Sequence, residues 1–598
     1  MEISVDAYDQ EEQCKEKRFM QTQEAPEAMP QLQGFGEFVR GIMQDWKIPG
    51  LAISVVKDGE VIFFQGFGKR DVDGGLEVTP QTLFPIASCT KAFTTMCLAI
   101  LADEGKLDWD TPVKHYLPAF KLYDLFASEH MTPRDLVTHR SGLPRHDLIW
   151  YNSSSTRQEL FDRLQYLEPN KDFRAVLQYQ NLMYMAAGYL VGQIAGQSWE
   201  DFVQQRIFDR LGMSSSLFST SAAQETTDFS FPYKEEKDEV KKIPFYEGQW
   251  SVAPAGAIVS NIADMTEWVL LHLNKGKHKG TQMVSENQVS QMHAPQMVAP
   301  VTFPFAEIPI ASYGLGWFVE PYRGHMIAEH GGNIDGFSSL VTLLPEHNTG
   351  VVVLTNLESN PVPNILTYNI CDRLLGLDEV AWSERFKKFW TAFKEAEEKG
   401  KEKTEADRIP DTHPSHSLDA YVGDYEHTGY GVFSVELDGD RLKGTFNSMT
   451  SSLKHYHYDT FELVIEKFDI SMKVSFFTNV RGDIDSLSAP LEPTVKDIVF
   501  RRLPPKGLTD KSFLEQFVGE YDVIGMTMTI ALKGEKALVV SLPMQPEFEL
   551  VPYKSAIFHV KGLSGYSIEF KSDAAGVVTE ALVEQPSGVV TAMKKAAS

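Results

Sequence analysis

Apolar and polar positions follow different periods in different parts of the chain. Leu51 to Gly68 carries two apolar runs around Lys57-Asp58-Gly59, which predicts a β-hairpin. From Ser88 onward Ala92, Phe93, Met96, Ala99 and Ile100 recur at helical spacing, with Gly105 as a stop. That predicts a helix whose first turn holds Ser88. "MTPRDLVTHRSGLP" (131–144) predicts a helix capped by Thr132, with Pro133 in its first position and Gly142 past its end. "NLMYMAAGYLVGQIAG" (181–196) predicts another, opened by Asn181 and closed near Gly196. From Tyr313 strand patterns return, in "YGLGWFVE", "SSLVTLLP" (338–345) and "GVVVLTN" (350–356). Two early strands, a helical middle and late strands predict an α/β (α+β) domain. Its central antiparallel sheet takes strands from both ends and is flanked by helices.

Between residues 381 and 411 the chain becomes a highly charged helix that dissolves into a linker. Short strand patterns with turn signals follow. They contain an internal echo: "LDAYVGDYE" (418–426) matches "LEQFVGEYD" (514–522) at an offset of 96 residues. An echo of this length among short strands predicts two small all-β barrels. The expected division is a flexible tail at 1–32, a catalytic domain at 33–380, a helical linker at 381–411, and barrels at 412–505 and 506–598.

Composition narrows the partners. A chain of 598 residues needs several cores. A net charge of −26 excludes nucleic acid and anionic membranes as natural partners and leaves self-association open. The most apolar helical stretch, Phe93 to Ala102, is too short to span a bilayer. The first thirty residues are polar and lack an apolar signal core, so a cytoplasmic location is expected. Cys14, Cys89, Cys97 and Cys371 form no disulfide framework. His413 with His416, and His455 with His457, are pairs without acidic or thiol partners, so no metal is expected, nor any other cofactor.

The candidate chemistry begins with S-x-x-K. Residues i and i+3 share a helix face, so the Ser88 hydroxyl and the Lys91 amine can meet at a helix start. Unpaired N–H groups there favour an oxyanion and a neutral lysine. Alone, the motif reads equally as a capping serine beside a surface lysine, and Ser451 with Lys454 also fits it. Two further stretches add to it. Tyr179 and Asn181 in "LQYQN" point the same way in an extended segment. His330-Gly331-Gly332 opens the late strands, and its glycines allow close backbone approach.

Serine with lysine on a helix, tyrosine with asparagine on a loop, and a basic residue with glycine on a strand, in that order, resemble the serine β-lactamases and penicillin-binding proteins. His330-Gly331-Gly332, "SGLP" (141–144) and "YGLGW" (313–317) resemble the class C β-lactamase-related esterases and D-aminopeptidases. The resemblance spans about residues 35–375, and the C-terminal part is similar to lipocalin-like barrels appended to some of these hydrolases. It implies a serine hydrolase forming an acyl-enzyme at Ser88 on amide or ester substrates, including peptides with a D-residue. Lys91 and Tyr179 share the general base role, in an order left open. Asn181 orients the substrate amide, and His330 supports the Tyr179 side or binds a substrate carboxyl end. Gly331 and Gly332 flank the substrate, while the backbone N–H groups of Ser88 and Asn333 form an oxyanion hole. A histidine where a lysine is usual argues against β-lactam resistance. Alternatives are an acyltransferase of natural-product maturation and an idle ligand-binding or sensing protein. Cys89 is a rival nucleophile that helical geometry points away from Lys91. Two proline-bearing stretches, 488–497 and 542–550, are long enough for a barrel loop to narrow a cleft.

Overall fold

The structure, a computed structural model, describes residues 29–246, 251–465, 470–563 and 565–596. Most of the expected N-terminal tail, with Cys14, lies outside the described residues. Leu32, at the end of that expected tail, is buried in the core. The chain divides into two compact units. One is Met1–Asp407 together with Leu491–Lys496, and the other is Arg408–Pro490 with Asp497–Ser598.

The first unit is built on nine antiparallel strands. Hairpin β1 (Gly50–Lys57) and β2 (Glu60–Asp71) turn at Asp58 and Gly59, both at positive φ (53° and 82°), the turn whose twist matches the flanking strands. β3 (Leu76–Glu77) follows, and after the helical middle come β4 (Met297–Ala299), β5 (Ala311–Tyr313), β6 (Phe318–Tyr322), β7 (His325–Ile334), β8 (Phe337–Leu344) and β9 (Thr349–Thr355). Their spatial order is β4-β5-β6-β7-β8-β9-β1-β2-β3. The last strand therefore pairs with the first, Ile53 opposite Val353, which is the closure the sequence predicts.

β8 and β9 are buried along their whole length, so both sheet faces are covered. Helices α1 (Phe35–Asp45) and, late in the chain, Val362–Leu375 share a core with Ile53 and Val353 on one face. On the other face Ser54 Oγ lies 2.6 Å from Thr266 Oγ1, on the helix Ile262–Leu273. In chain order, α2 is Thr90–Asp103, α3 Asn181–Ala195, α4 Ile262–Leu273, α5 Val362–Leu375 and α6 Trp382–Ala406. α2 is buried from Thr90 to Leu101 on every side, which fits its near-continuous apolar sequence. α3 packs on it and closes at Gly196, φ 68°. The helix expected near 133 is a single turn, Pro133–Leu136, held by a Thr132–Asp135 capping box. α6 occupies the expected linker, yet its Trp382 and Phe386 are fully buried in the sheet core.

The second unit holds two closed eight-stranded barrels. In the first, Gly423–His427 pairs with Ile498–Arg502; in the second, Gly519–Val523 pairs with Gly588–Lys594. The sequence echo is a structural one. Tyr425 donates its hydroxyl to the Tyr421 carbonyl at 2.8 Å, and Tyr521 donates to Phe517 at 2.8 Å. Gly423 and Gly519 share φ near 150° (155° and 149°), where a Cβ would press on Arg502 or Lys594 of the closing strand. Aromatic side chains fill both interiors, with Phe433, Phe446 and Phe500 together in the first and Phe517, Phe558 and Phe570 in the second.

Candidate active site

Ser88 sits in a one-turn helix, Ala87–Cys89, that leads directly into α2. Ala87 before it is held at φ 45°, a conformation that a residue with a side chain adopts only under constraint. The constraint is visible from the opposite strand. A Cβ on Gly332 of β7 would lie 2.2 Å from the Ile86 carbonyl oxygen and 3.1 Å from Ala87 Cβ. Gly332 therefore admits the protein's own turn. Gly331, whose added Cβ would meet nothing closer than 3.6 Å, lines the adjoining cavity instead.

Lys91 is fully buried one turn into α2. Its Nζ lies 2.9 Å from Ser88 Oγ, 2.8 Å from Asn181 Oδ1 and 2.8 Å from the Ala255 carbonyl oxygen. Burial, with the Arg145 charge second, drives its pKa well below the usual lysine value. A neutral amine has two N–H donors and one lone pair. The two carbonyl oxygens take the donors, and the lone pair is left facing the Ser88 hydroxyl. That is the arrangement in which an amine can accept a serine proton.

Asn181 is the first residue of α3, capped by the Gln180 side chain. Its Oδ1 accepts from Lys91, and its Nδ2 donates to Asp147 Oδ1 at 3.0 Å. Asp147 also accepts from Trp150 Nε1 at 2.9 Å and pairs with Arg145 at 2.5 Å. The Arg145 guanidinium lies 5.3 Å from the Tyr179 ring centroid. Tyr179 is raised well above an ordinary tyrosine by burial, against which a hydrogen bond with Ser88 works. His139 packs on the Tyr179 ring at 4.3 Å, with its Nδ1 accepting from Gln180 N. Arg145, Asp147 and His139 are the residues that sequence reasoning missed. Their one signal was position, because they bracket the quoted "SGLP".

His330 is buried, and burial pushes it down to about 3, so its ring is neutral. Nδ1 lies 2.7 Å from the Gly331 carbonyl and Nε2 3.0 Å from the Tyr313 hydroxyl. Both nitrogens are thus engaged, Nδ1 as donor and Nε2 as acceptor. Asn333 stands opposite Ser338 and accepts its hydroxyl at 2.7 Å. A cavity of about 470 Å³ gathers Ser88, Arg145, Tyr179, His330, Gly331 and Asn333 in its wall.

The rival serines and thiol are elsewhere. Cys89 points to the His330 carbonyl (3.1 Å) and Ser339 (3.3 Å), and burial pushes its thiol up to about 12. Ser451 lies on a barrel strand, Met449–His457, and donates to the Val464 carbonyl. A third S-x-x-K, Ser54 to Lys57, lies on β1. In a strand, positions three apart point to opposite faces. His416 is bonded to the Gly482 carbonyl and His455 to that of Tyr458.

The segment 491–496, inside one of the two proline-bearing stretches, belongs to the first unit. Glu492 is buried, and its Oε2 accepts from His146 N at 2.9 Å, next to Arg145 in the chain.

The family model "Beta-lactamase" matches residues 35–371, more than half of the chain. The chain belongs to the beta-lactamase family. The beta-lactamase fold here is that of a serine hydrolase family, followed by a stretch, 407–502, matching a domain of unknown function, DUF3471. Among relatives, "Unguisins hydrolase ungD'" of Aspergillus campestris (strain IBT 28561) is 29% identical over 428 residues, covering 68% of this chain and 78% of that protein. "Protein flp" of Staphylococcus aureus (strain MW2) is 27% identical over 336 residues, covering 54% of this chain and 63% of that protein. A penicillin-binding protein homologue from Pyrococcus abyssi, described as octameric, shares the fold with a TM-score of 0.52 at 22% identity. That match covers 79% of this chain and all of the other. Among the described residues no helix is long and apolar enough to cross a membrane.

Proposed function

We propose that this beta-lactamase-family chain is a hydrolase of amide or ester substrates, with Ser88 as its nucleophile and Lys91 as the first base. The single observation that carries the reading is the three-way engagement of the buried Lys91 amine by Ser88, Asn181 and Ala255. In acylation the Ser88 proton passes to Lys91 Nζ while Oγ bonds to the substrate carbonyl carbon. The proton then goes to the leaving amine or alkoxide as the C–N or C–O bond breaks. Tyr179, kept protonated by burial, donates toward Oγ or the leaving group. Water attacks the acyl-enzyme along the same proton path in reverse. The backbone N–H groups of Ser88 and Asn333 are assigned to the developing oxyanion.

His330 is a positioning residue in this scheme: its neutral ring holds the Tyr313 hydroxyl and stands 6.2 Å from the Tyr179 ring, and a neutral ring offers no fixed cation to a substrate carboxylate. Arg145, on the cavity wall, carries a guanidinium 5.3 Å from the Tyr179 ring centroid. The hydrolase named among the relatives agrees with hydrolysis as the outcome. The test is labelling of the full chain with a fluorophosphonate, followed by peptide mass spectrometry. Phosphonylation of the peptide containing Ser88 is expected. No label, or a label elsewhere, overturns the assignment.

A further inference from the structure

The cavity that reaches Ser88 has a second chemical end. Glu320 on β6 and Glu329 on β7 both line it. Phe318 stands opposite Glu329, and Glu320 opposite Ile327, so the two glutamates are diagonal neighbours on one face of the sheet. That face is covered by α5, which contributes Tyr368 and Asn364 to the same wall. β6 begins at Phe318, opposite Glu329, so the Gly331–Asn333 part of β7 has no strand partner on that edge among the described residues. The cavity wall takes in Ser88 and His330 as well as Gly331, Asn333 and the two glutamates.

Two buried carboxyls without a counter-charge are costly to a fold. Glu320 is 5% exposed and Glu329 7%. Glu329 accepts the Thr342 hydroxyl at 2.9 Å on one oxygen. Glu320 lines the cavity, and no hydrogen bond to its carboxyl is formed among the described residues. Neither has a lysine or arginine within ion-pair distance among those residues, whereas the nearby Asp372, on α5, is paired with Arg323. Burial, with the Glu329 charge second, lifts Glu320 well above the usual carboxylate range; burial alone lifts Glu329. The other titratable groups on the cavity wall are Tyr368 from α5, Tyr179, neutral His330 and Arg145, which lies at the Ser88 end.

We propose that the Glu320–Glu329 end of the cavity is a binding subsite for an ammonium group carried by the substrate. An alkylammonium supplies a positive charge and three N–H donors to unfilled carboxyl oxygens. It lies on the far side of the β7 edge from Ser88, so the substrate backbone follows that edge while its amine-bearing arm passes to the other face. A cavity of about 470 Å³ falls within the ~300–1,000 Å³ of ordinary small-molecule sites. The inference deepens the proposed hydrolase function and rests on it only for the identity of the reacting end.

Calorimetric titration of the full chain with n-pentylammonium and with 1-pentanol tests the subsite without requiring turnover. At pH 8.5 the ammonium is expected to bind at least tenfold more tightly than the alcohol. The preference should shrink at pH 6, where the raised carboxyls are protonated while the ligand keeps its charge. Glu320→Gln should cut it at least fivefold. Equal binding of the two ligands, or a preference that Glu320→Gln leaves intact, overturns the proposal. Should that variant fail to fold, the native protein still decides, because a preference that does not grow from pH 6 to pH 8.5 also overturns it. Phenyl esters of 6-aminohexanoate and hexanoate then separate the two readings. A lower KM for the amino ester at similar kcat supports both. Turnover without that KM difference sinks the subsite alone. Ammonium binding without Ser88 acylation sinks the hydrolase reading alone.

Discussion

Lys91 and Asn181, ninety residues apart in sequence, are joined by a 2.8 Å hydrogen bond from the amine to the amide oxygen. The amide's other end is committed to Asp147. Asn181 is therefore fixed in the flip that presents oxygen to Lys91, and among the described residues a charged Lys91 has no carboxylate as a direct hydrogen-bond partner. The second feature, together with burial, favours the neutral amine that serine activation needs, while the amide oxygen fixes its orientation.

Removing that amine should be severe. Lys91→Met is expected to lower the acylation rate at least a thousandfold, near the upper range of general-base contributions. Lys91→Arg should not rescue it, because a guanidinium stays protonated. In the native protein kcat/KM should fall as pH drops through the lowered Lys91 pKa, since the protonated amine has no lone pair to accept the Ser88 proton. Stopped-flow acylation with a chromogenic ester across pH checks both. A flat profile, or an active Lys91→Met variant, would remove Lys91 from the mechanism.

Ser88→Ala should abolish ester turnover and fluorophosphonate labelling. Cys89→Ala and Ser451→Ala should retain both within a few-fold, because one side chain is turned to His330 and Ser339 and the other is tied to a barrel strand. Intact-mass spectrometry of the three labelled variants is enough. A dead Cys89→Ala variant with normal melting behaviour would shift the nucleophile by one residue.

The two neighbouring glycines should respond differently. Gly332→Ala places a methyl 2.2 Å from the Ile86 oxygen and must displace the turn that carries Ser88. A clear loss of Tm and at least a hundredfold loss of acylation are expected. Gly331→Ala has only ordinary contacts, so its Tm should be unchanged. Differential scanning calorimetry of both variants tests the contrast, and equal Tm values would contradict the close approach.

Glu492 ties segment 491–496 to the residue after Arg145. Glu492→Ala leaves the His146 N–H without its acceptor, a cost of about 1–3 kcal/mol for a buried donor. Acylation of Ser88 by a small ester should persist, and the kcat/KM ratio of bulky to small esters should rise as the segment loosens. Steady-state kinetics over a size series decides it. An unchanged ratio would leave the segment with a structural role only.

How much of this was legible in the chain depended on distance along it. The α2 helix, the Ser88–Lys91 pair on one of its faces, the β1–β2 hairpin and the tyrosine echo of the barrels are set by spacings of a few residues, and local periodicity reports them directly. The order of early strands, helical middle and late strands extended that to one sheet drawn from both ends of the domain, which the structure closes by β1 against β9. What the chain could not show were contacts whose partners have no local signature. Asp147 reads as a surface acid until Asn181 arrives from thirty-four residues away. Gly332 reads as room for a substrate until the fold packs the Ile86–Ala87 turn against it. The charged helix after residue 381 reads as a linker, although two apolar side chains at its start are enough to dock it in the core. Glu320 and Glu329 are ordinary strand residues in sequence, and only the β6–β7 pairing puts both on one buried face, facing one cavity. Short-range spacing sets secondary structure because it is paid in local hydrogen bonds. The desolvation of a carboxyl or an amine is set by whatever packs over it, and that is decided only when distant strands and helices meet.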